Sequence, residues 1–203
     1  MGKLLAHFIS VVFHPLFIPL YCVFIIFHSP VYIIYQLPVE AQYATYGIVG
    51  VFTFLMPAGS SLILLKMDGI SDLNMSRQKE RGLPYLMTAI FFSTAYFSLS
   101  RVGFPALLTN AILGATVSLL LLFISNFTQK TSAHMVGVGG LLALVYAISE
   151  IYIDGNISLF LFPVILLTGL VAYSRLRLEA HRPIEIYTGL LIGIIPTYLL
   201  QWF

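Results

Sequence analysis

Residues Pro105–Ile124 read PALLTNAILGATVSLLLLFI, a run of 20 residues without a charged side chain. A helix of about 20 mostly apolar residues is long enough to cross the hydrocarbon core of a bilayer. Six further stretches have a similar character: Ile9–Phe27, Gly47–Leu65, Leu83–Ser100, Met135–Ile151, Ile157–Ala172 and Ile186–Trp202. The sequence therefore predicts an all-α, polytopic membrane bundle of six or seven transmembrane helices, with six if one stretch is re-entrant.

The composition agrees with this prediction. Of 203 residues, 59% are hydrophobic and only 9% are charged, whereas about 25% charged residues are typical of soluble domains. So few charges cannot cover a soluble globule, and the high hydrophobicity excludes a disordered chain. Seven helices leave only short loops, so we expect residues 1–203 to form a single integral membrane domain.

The basic residues are distributed unevenly among the predicted loops. With seven spans, the N-terminus and three loops share one side: Lys66–Pro84, Ser125–His134 and Tyr173–Glu185. Nine of the ten lysines and arginines lie on that side, and Arg101 lies on the other. The positive-inside rule predicts that the three basic loops face the cytoplasm. A site that faces water would be built from these loops.

The second of these loops has the features of an anion site. It contains Lys130-Thr131-Ser132-Ala133-His134 and leads into a glycine-rich helix. Thr131 or Ser132 is a natural N-cap, and the free N–H groups at a helix start attract anions. Lys130 and the Ser132 hydroxyl would add donors. The plainer interpretation is a capped helix with a boundary lysine and an interfacial histidine.

The third loop places a histidine and a carboxylate close together. Pro183 suits a first helical turn, where Glu185 would also lie. A first-turn carboxylate reaches back toward the residues before the helix, which brings Glu185 near His181. Such a contact fixes the tautomer of the imidazole and leaves the other ring nitrogen as a nucleophile or base. Glu185 could equally serve only to complement the helix dipole.

Together, these two loops resemble the type-2 phosphatidic acid phosphatase superfamily, the membrane relatives of the vanadium haloperoxidases. The third motif of that family is Ser-Arg-x5-His-x3-Asp, and Ser174-Arg175, His181 and Glu185 keep its spacing with Glu in place of Asp. The second motif is Pro-Ser-Gly-His, which Thr131-Ser132-Ala133-His134 matches in part. The resemblance makes about residues 125–203 the motif-bearing core.

The first motif of the family, Lys-x6-Arg-Pro, does not occur in this sequence. Lys130, two residues before Ser132, could replace its lysine. Either Arg77 or Arg81, two spans earlier on the same side, could replace its arginine, and the sequence does not choose between them.

The resemblance implies a lipid phosphatase. His181 would attack the phosphorus of a lipid phosphate, Glu185 would orient His181, and His134 would protonate the leaving oxygen. The oxygens of the phosphate would be held by Ser132, Lys130, Arg175 and one of Arg77 and Arg81. The expected partners are the bilayer and a long-chain lipid phosphate such as phosphatidic acid or undecaprenyl diphosphate, without cofactor, metal or nucleic acid. The expected location is a bacterial inner membrane; the oligomeric state stays open.

Three alternatives remain at this point. The chain could be a catalytically inert protein that binds or transports lipid phosphates, since the first motif is missing. His134, His181 and Glu185 could instead bind iron or zinc, although the basic neighbours would repel a cation. The chain could also be a small channel or transporter, with His7, His14 and the kinks at Pro15, Pro19 and Pro57 along its path.

Overall fold

The computed structural model describes residues 2–29, 37–151 and 158–203. Within these ranges helices joined by loops make up the chain, and there is no strand. The α-helices are α1 (Lys3–Val12), α2 (Ile18–His28), α3 (Val39–Val49), α4 (Met56–Lys66), α5 (Gly82–Val102), α6 (Ala106–Ser125), α7 (Ala133–Ile151), α8 (Ser158–Arg177) and α9 (Pro183–Leu200). A π-helical segment, Gly50–Leu55, joins α3 to α4.

The predicted all-α membrane bundle is confirmed. Six segments in the described ranges are long and apolar enough to cross a membrane: Lys3–His28, Val39–Lys66, Gln78–Val102, Ala106–Ser125, Ala133–Ile151 and Pro183–Leu200. The predicted stretch Ile157–Ala172 falls on α8, except for Ile157, which lies outside the described residues. This is the architecture of a multi-pass membrane protein.

The first membrane segment is broken after its first ten residues. A 3-10 turn, Pro15–Phe17, separates α1 from α2, because proline lacks an N–H group and cannot continue the preceding helix. The Nδ1 atom of His14 accepts a hydrogen bond from the backbone N–H of Leu16 at 3.4 Å. The break leaves α1 as a separate element with its own packing partner, α8.

Close packing of α7 against α9 brings two of the predicted loops together. A Cβ atom added at Gly189 would lie 2.7 Å from the carbonyl oxygen of Ser132, and one at Gly193 would overlap the carbonyl oxygen of Val136. Glycines allow such close approach of helices in membrane proteins. As a result, the backbone N–H of Ser132 donates to the carbonyl oxygen of Glu185 at 3.2 Å.

The third loop is shorter than predicted. The expected loop began at Tyr173, but α8 continues to Arg177 because its last turn packs against α1 and its carbonyl oxygens find partners. Glu179 adopts a left-handed backbone conformation with φ 54°, which is common just after a helix end. The N–H of Ala180 then donates to the carbonyl oxygen of Arg175 at 3.1 Å. This turn leads the chain directly to His181.

Candidate active site

His181 is the centre of a polar cluster at one end of the bundle. Its side chain is buried, with 8% of the residue exposed. The Nδ1 atom lies 3.0 Å from the carbonyl oxygen of Lys130 and 3.0 Å from Oε2 of Glu185. Since a carbonyl and a carboxylate oxygen can only accept, Nδ1 is the atom that carries the proton. Nε2 is therefore the unprotonated nitrogen of the neutral ring.

Glu185 is positioned by the first turn of α9. Pro183 begins the helix, and Glu185 is the third helical residue. Its Oε2 also accepts the backbone N–H of Arg182 at 3.1 Å, which is half of a capping-box arrangement. The structure thus places Glu185 against both the helix start and His181. The structural and the functional interpretations of this carboxylate are compatible with each other.

The loop before α7 lies directly beside His181, but its hydroxyl groups do not cap the helix as expected. The Thr131 hydroxyl is bonded to that of Ser125 at 2.6 Å, and in the described part of the chain it accepts no N–H from the first turn of α7. Ser132 is fully buried, and its Oγ has no hydrogen-bond partner in the described part of the chain. A buried hydroxyl without a partner is costly and calls for an explanation.

Arg81, rather than Arg77, reaches this cluster. Only 6% of Arg81 is exposed, and its Nε donates to the carbonyl oxygen of Met75 at 2.8 Å. Its Nη1 lies 3.5 Å from the carbonyl oxygen of Thr131, next to Ser132. The side chain of Arg77, in contrast, is 77% exposed and pairs with Glu80 at 3.5 Å. The structure therefore separates two residues that the sequence left equivalent.

Arg175 approaches the same cluster from the last turn of α8. Its Nη1 donates to Oγ of Ser10, on α1, at 3.2 Å. Its Nε is buried and has no partner among the described residues. A second unsatisfied polar atom thus belongs to a side chain that lies close enough to His181 to lower its pKa.

His134 lies on the first turn of α7, and its ring points toward α1. The Nε2 atom lies 2.9 Å from the carbonyl oxygen of Ser10. Because that oxygen can only accept, Nε2 carries a proton and Nδ1 is unprotonated in the neutral ring. The ring of His14 meets that of His134 edge-on, with the centroids 5.5 Å apart. The two histidines predicted as catalytic thus have opposite tautomers.

The cluster is predominantly positive. Burial lowers the pKa of the Lys130 ammonium, and the neighbouring charge of Arg81 lowers it further, while Glu185 opposes both. Burial likewise lowers the pKa of His181 below its ordinary 6.5; the hydrogen bond to Glu185 raises it, and the guanidinium of Arg175 lowers it. His181 is consequently a neutral base in a cationic environment, and such an environment favours an anionic ligand.

The proposed metal-ligand set does not converge. Across residues 2–29, 37–151 and 158–203, no three His, Cys, Asp or Glu side chains gather in a way that could hold a metal ion. His134 and His181 instead donate to carbonyl oxygens from different segments. The metal-site alternative therefore finds no prearranged ligand group in the described residues.

An apolar cavity of about 70 Å³ lies beside the start of α7. Its lining includes Cys22 from α2, Phe92 from α5, Leu119 from α6 and Ala133 from α7. Ala133 stands between Ser132 and His134 in the sequence, so the apolar cavity and the polar cluster are neighbours.

Sequence reasoning missed Ser10, which contacts both Arg175 and His134. It lies in an apolar run and matches no motif. Its position was the one available signal. Ser10 lies four residues before His14-Pro15, where the first helix breaks.

The comparisons with known proteins add no relative: no family model, no curated protein and no solved structure matches this chain. The fold and cluster define the class, a multi-pass α-helical membrane protein with a buried, cationic histidine–carboxylate cluster at one end.

Proposed function

We propose that this chain is a membrane lipid phosphatase that hydrolyses a phosphate monoester or diphosphate of a long-chain lipid through a phosphohistidine intermediate. The proposal rests mainly on two buried donors that have no partner among the described residues, Ser132 Oγ and Arg175 Nε. The backbone of Ser132 is bonded to that of Glu185, the partner of His181, and the Arg175 guanidinium is close enough to lower the pKa of His181. Both groups can donate to a phosphate oxygen, and arginine is well suited to phosphate by its planar set of donors. The resemblance to the type-2 phosphatidic acid phosphatases gives the same assignment.

In the first step, the lone pair on Nε2 of His181 forms a bond to phosphorus while the bond from phosphorus to the leaving oxygen breaks. The Nδ1 proton of His181 stays bonded to the carbonyl oxygen of Lys130 and to Oε2 of Glu185. The Glu185 carboxylate thereby stabilises the positive charge that the ring acquires. A monoanionic lipid phosphate gives its proton to Nδ1 of His134 on binding, and the leaving oxygen takes this proton as its bond to phosphorus breaks, while Nε2–H of His134 keeps its bond to Ser10.

In the second step, water attacks the phosphorus and the bond to His181 breaks. Neutral His134 accepts a proton from that water through Nδ1, and His181 regains its lone pair. The products are inorganic phosphate and the dephosphorylated lipid. Ser132, Lys130, Arg175 and Arg81 would stabilise the charge on the phosphoryl oxygens in both steps.

A lipid substrate is supported by the setting of the cluster. The bundle is a membrane protein, and Ala133, which lines the apolar cavity, stands between Ser132 and His134 of the proposed phosphate site. We propose that the substrate arrives from the bilayer of a bacterial inner membrane, with its phosphate on the cytoplasmic side, where nine of the ten basic residues are expected.

A second candidate function is binding or transport of a lipid phosphate without hydrolysis. It is favoured by the hydrogen bond from Nε2 of His134 to the carbonyl oxygen of Ser10, because the neutral ring then has its one proton on Nε2 and none on Nδ1 to give to a leaving group.

The test is phosphate release by the purified protein in detergent. Phosphatidic acid, phosphatidylglycerol phosphate and undecaprenyl diphosphate are offered separately in the presence of EDTA, with His181→Ala and the control His28→Ala. His28 is a suitable control because, within the described residues, its ring hydrogen-bonds only to the carbonyl oxygen of Phe24, one turn earlier. We expect release that survives EDTA, persists in His28→Ala and disappears in His181→Ala. Binding of lipid phosphate without release would support the second candidate.

A further inference from the structure

We infer that Ser10 is a positioning residue of the candidate phosphate site and holds both Arg175 and His134 through hydrogen bonds from α1. The inference rests on the proposed function and extends it to a segment of the chain that none of the three phosphatase motifs includes. Ser10 is buried on the inner face of α1, with 5% of the residue exposed.

The break in the first helix makes the backbone of Ser10 available. In a continuous helix the carbonyl oxygen of Ser10 would accept the N–H of His14. Here that N–H donates to the carbonyl oxygen of Val11 at 3.3 Å instead. The carbonyl oxygens in the last turn of a helix need partners from elsewhere, and His134 provides one at 2.9 Å. The break therefore creates the acceptor that selects the tautomer of His134.

The side chain of Ser10 belongs to a directed chain of hydrogen bonds. The Ser174 hydroxyl donates to the carbonyl oxygen of Ala6 at 2.5 Å, which uses its one hydrogen. The 2.8 Å contact between the two serine hydroxyls must then use the hydrogen of Ser10. The remaining lone pairs of Ser10 accept from Nη1 of Arg175 at 3.2 Å. The guanidinium is thus anchored, through two serines, to the backbone of α1.

This arrangement leaves a specific donor for the ligand. The bond from Nη1 to Ser10 restricts the rotation of the Arg175 guanidinium, and its buried Nε has no partner among the described residues. A preorganised donor binds an anion more tightly than a mobile one, because less conformational freedom is lost on binding. Loss of the Ser10 hydroxyl should weaken phosphate binding while the His134 contact, which uses the backbone, remains.

The experiment compares the wild-type protein with Ser10→Ala, Ser10→Thr and the control Ser93→Ala. The Ser93 hydroxyl donates only to the carbonyl oxygen of Ala89 within α5. Calorimetric titration with inorganic phosphate and steady-state phosphate release are measured for each. We expect Ser10→Ala to weaken phosphate binding and to raise KM about tenfold, because it removes one charge-assisted hydrogen bond. The kcat value should change by less than about threefold. Ser10→Thr should recover most of the affinity, and Ser93→Ala should match the wild type.

Unchanged or tighter phosphate binding in Ser10→Ala would overturn the inference. If that variant does not fold, Ser174→Ala, which removes the anchor of the Ser10 hydroxyl, is titrated in its place and must weaken binding in the same direction. If the wild-type protein binds phosphate but releases none from any lipid, the proposed phosphatase activity is overturned. The binding affinities of the Ser10 variants would still decide the role of Ser10. A wild-type protein that does not bind phosphate would overturn both.

The backbone contact has its own readout. Nitrogen-15 NMR of histidine-labelled protein distinguishes the two imidazole tautomers, and His134→Gln assigns the signal. An Nε2–H tautomer is expected for neutral His134. An Nδ1–H tautomer would contradict the contact with Ser10.

Discussion

The Nδ1 atom of His181 lies 3.0 Å from Oε2 of Glu185, and the two residues are four positions apart across the start of a helix. The carbonyl oxygen of Lys130 shares the same Nδ1 proton at 3.0 Å. Two acceptors thus fix the ring, one charged and one neutral. Removing the charge should reduce reactivity without releasing the ring.

Glu185→Gln is therefore expected to lower kcat by roughly ten- to a hundredfold, because a charge-assisted hydrogen bond contributes about 1.5–3 kcal/mol. KM should change little, since Glu185 contacts the nucleophile and not the substrate. Glu185→Asp should retain more activity than Glu185→Gln. Steady-state kinetics of phosphate release check both variants, and a Gln variant with full kcat would remove Glu185 from the mechanism.

The lowered pKa of His181 predicts how stability depends on pH. The unfolded chain, with an ordinary histidine pKa of 6.5, binds more protons than the folded protein as the pH falls below that value. The stabilisation from His181 is therefore complete above pH 6.5 and is lost as the pH falls toward the lowered pKa of the folded state.

This prediction is checked by thermal unfolding in detergent between pH 7.5 and pH 4, for the wild type and His181→Gln. The wild-type midpoint should fall more steeply than that of the variant, which has no titrating ring at this position. Parallel curves would show that His181 titrates normally. Arg175→Met should raise the pKa of His181, because the guanidinium of Arg175 lowers it.

Arg81 and Arg77 form a matched pair for testing the phosphate clamp. Arg81→Ala should weaken phosphate binding by about ten- to a hundredfold, since it removes a buried cationic donor. Arg77→Ala should change binding by less than about twofold, because exposed ion pairs contribute little. Titration with inorganic phosphate compares the two. Equal losses of affinity in the two variants would mean that the overall positive charge of the surface attracts the anion, and not specific hydrogen bonds from Arg81.

Gly193→Ala tests whether the packing of α7 against α9 positions the site. The new methyl group would overlap the carbonyl oxygen of Val136, and overpacking of this kind costs typically about 1–3 kcal/mol. We expect a lower midpoint of unfolding and reduced phosphate binding, since Ser132 and Glu185 are tied together across this contact.

Gly169→Ala, on α8, is the control for that variant, because no neighbouring atom of the described residues lies within 4 Å of a Cβ added there. It should be neutral or more stable by up to about 1 kcal/mol, as expected when alanine replaces glycine within a helix. Similar losses in both variants would indicate a general effect of helical substitution and not a specific contact.

The sequence alone determined the class of fold and the end of the bundle that carries the polar residues. Both follow from local properties, because a span is defined by some 20 consecutive apolar residues and a loop by the charges within it. The proximity of His181 and Glu185 was also predictable, since one helical turn fixes the reach of a first-turn carboxylate.

The tertiary structure decided what depends on the rotation and spacing of helices that are distant in the sequence. It separated Arg81 from Arg77, which share a loop but differ in burial, because only Arg81 turns inward to the carbonyl oxygens of Met75 and Thr131. It brought Ser10 to Arg175 and His134, contacts that span 165 and 124 residues. Hydropathy does not encode these contacts, because they arise where a broken helix exposes a carbonyl oxygen and where glycines allow two helices to approach.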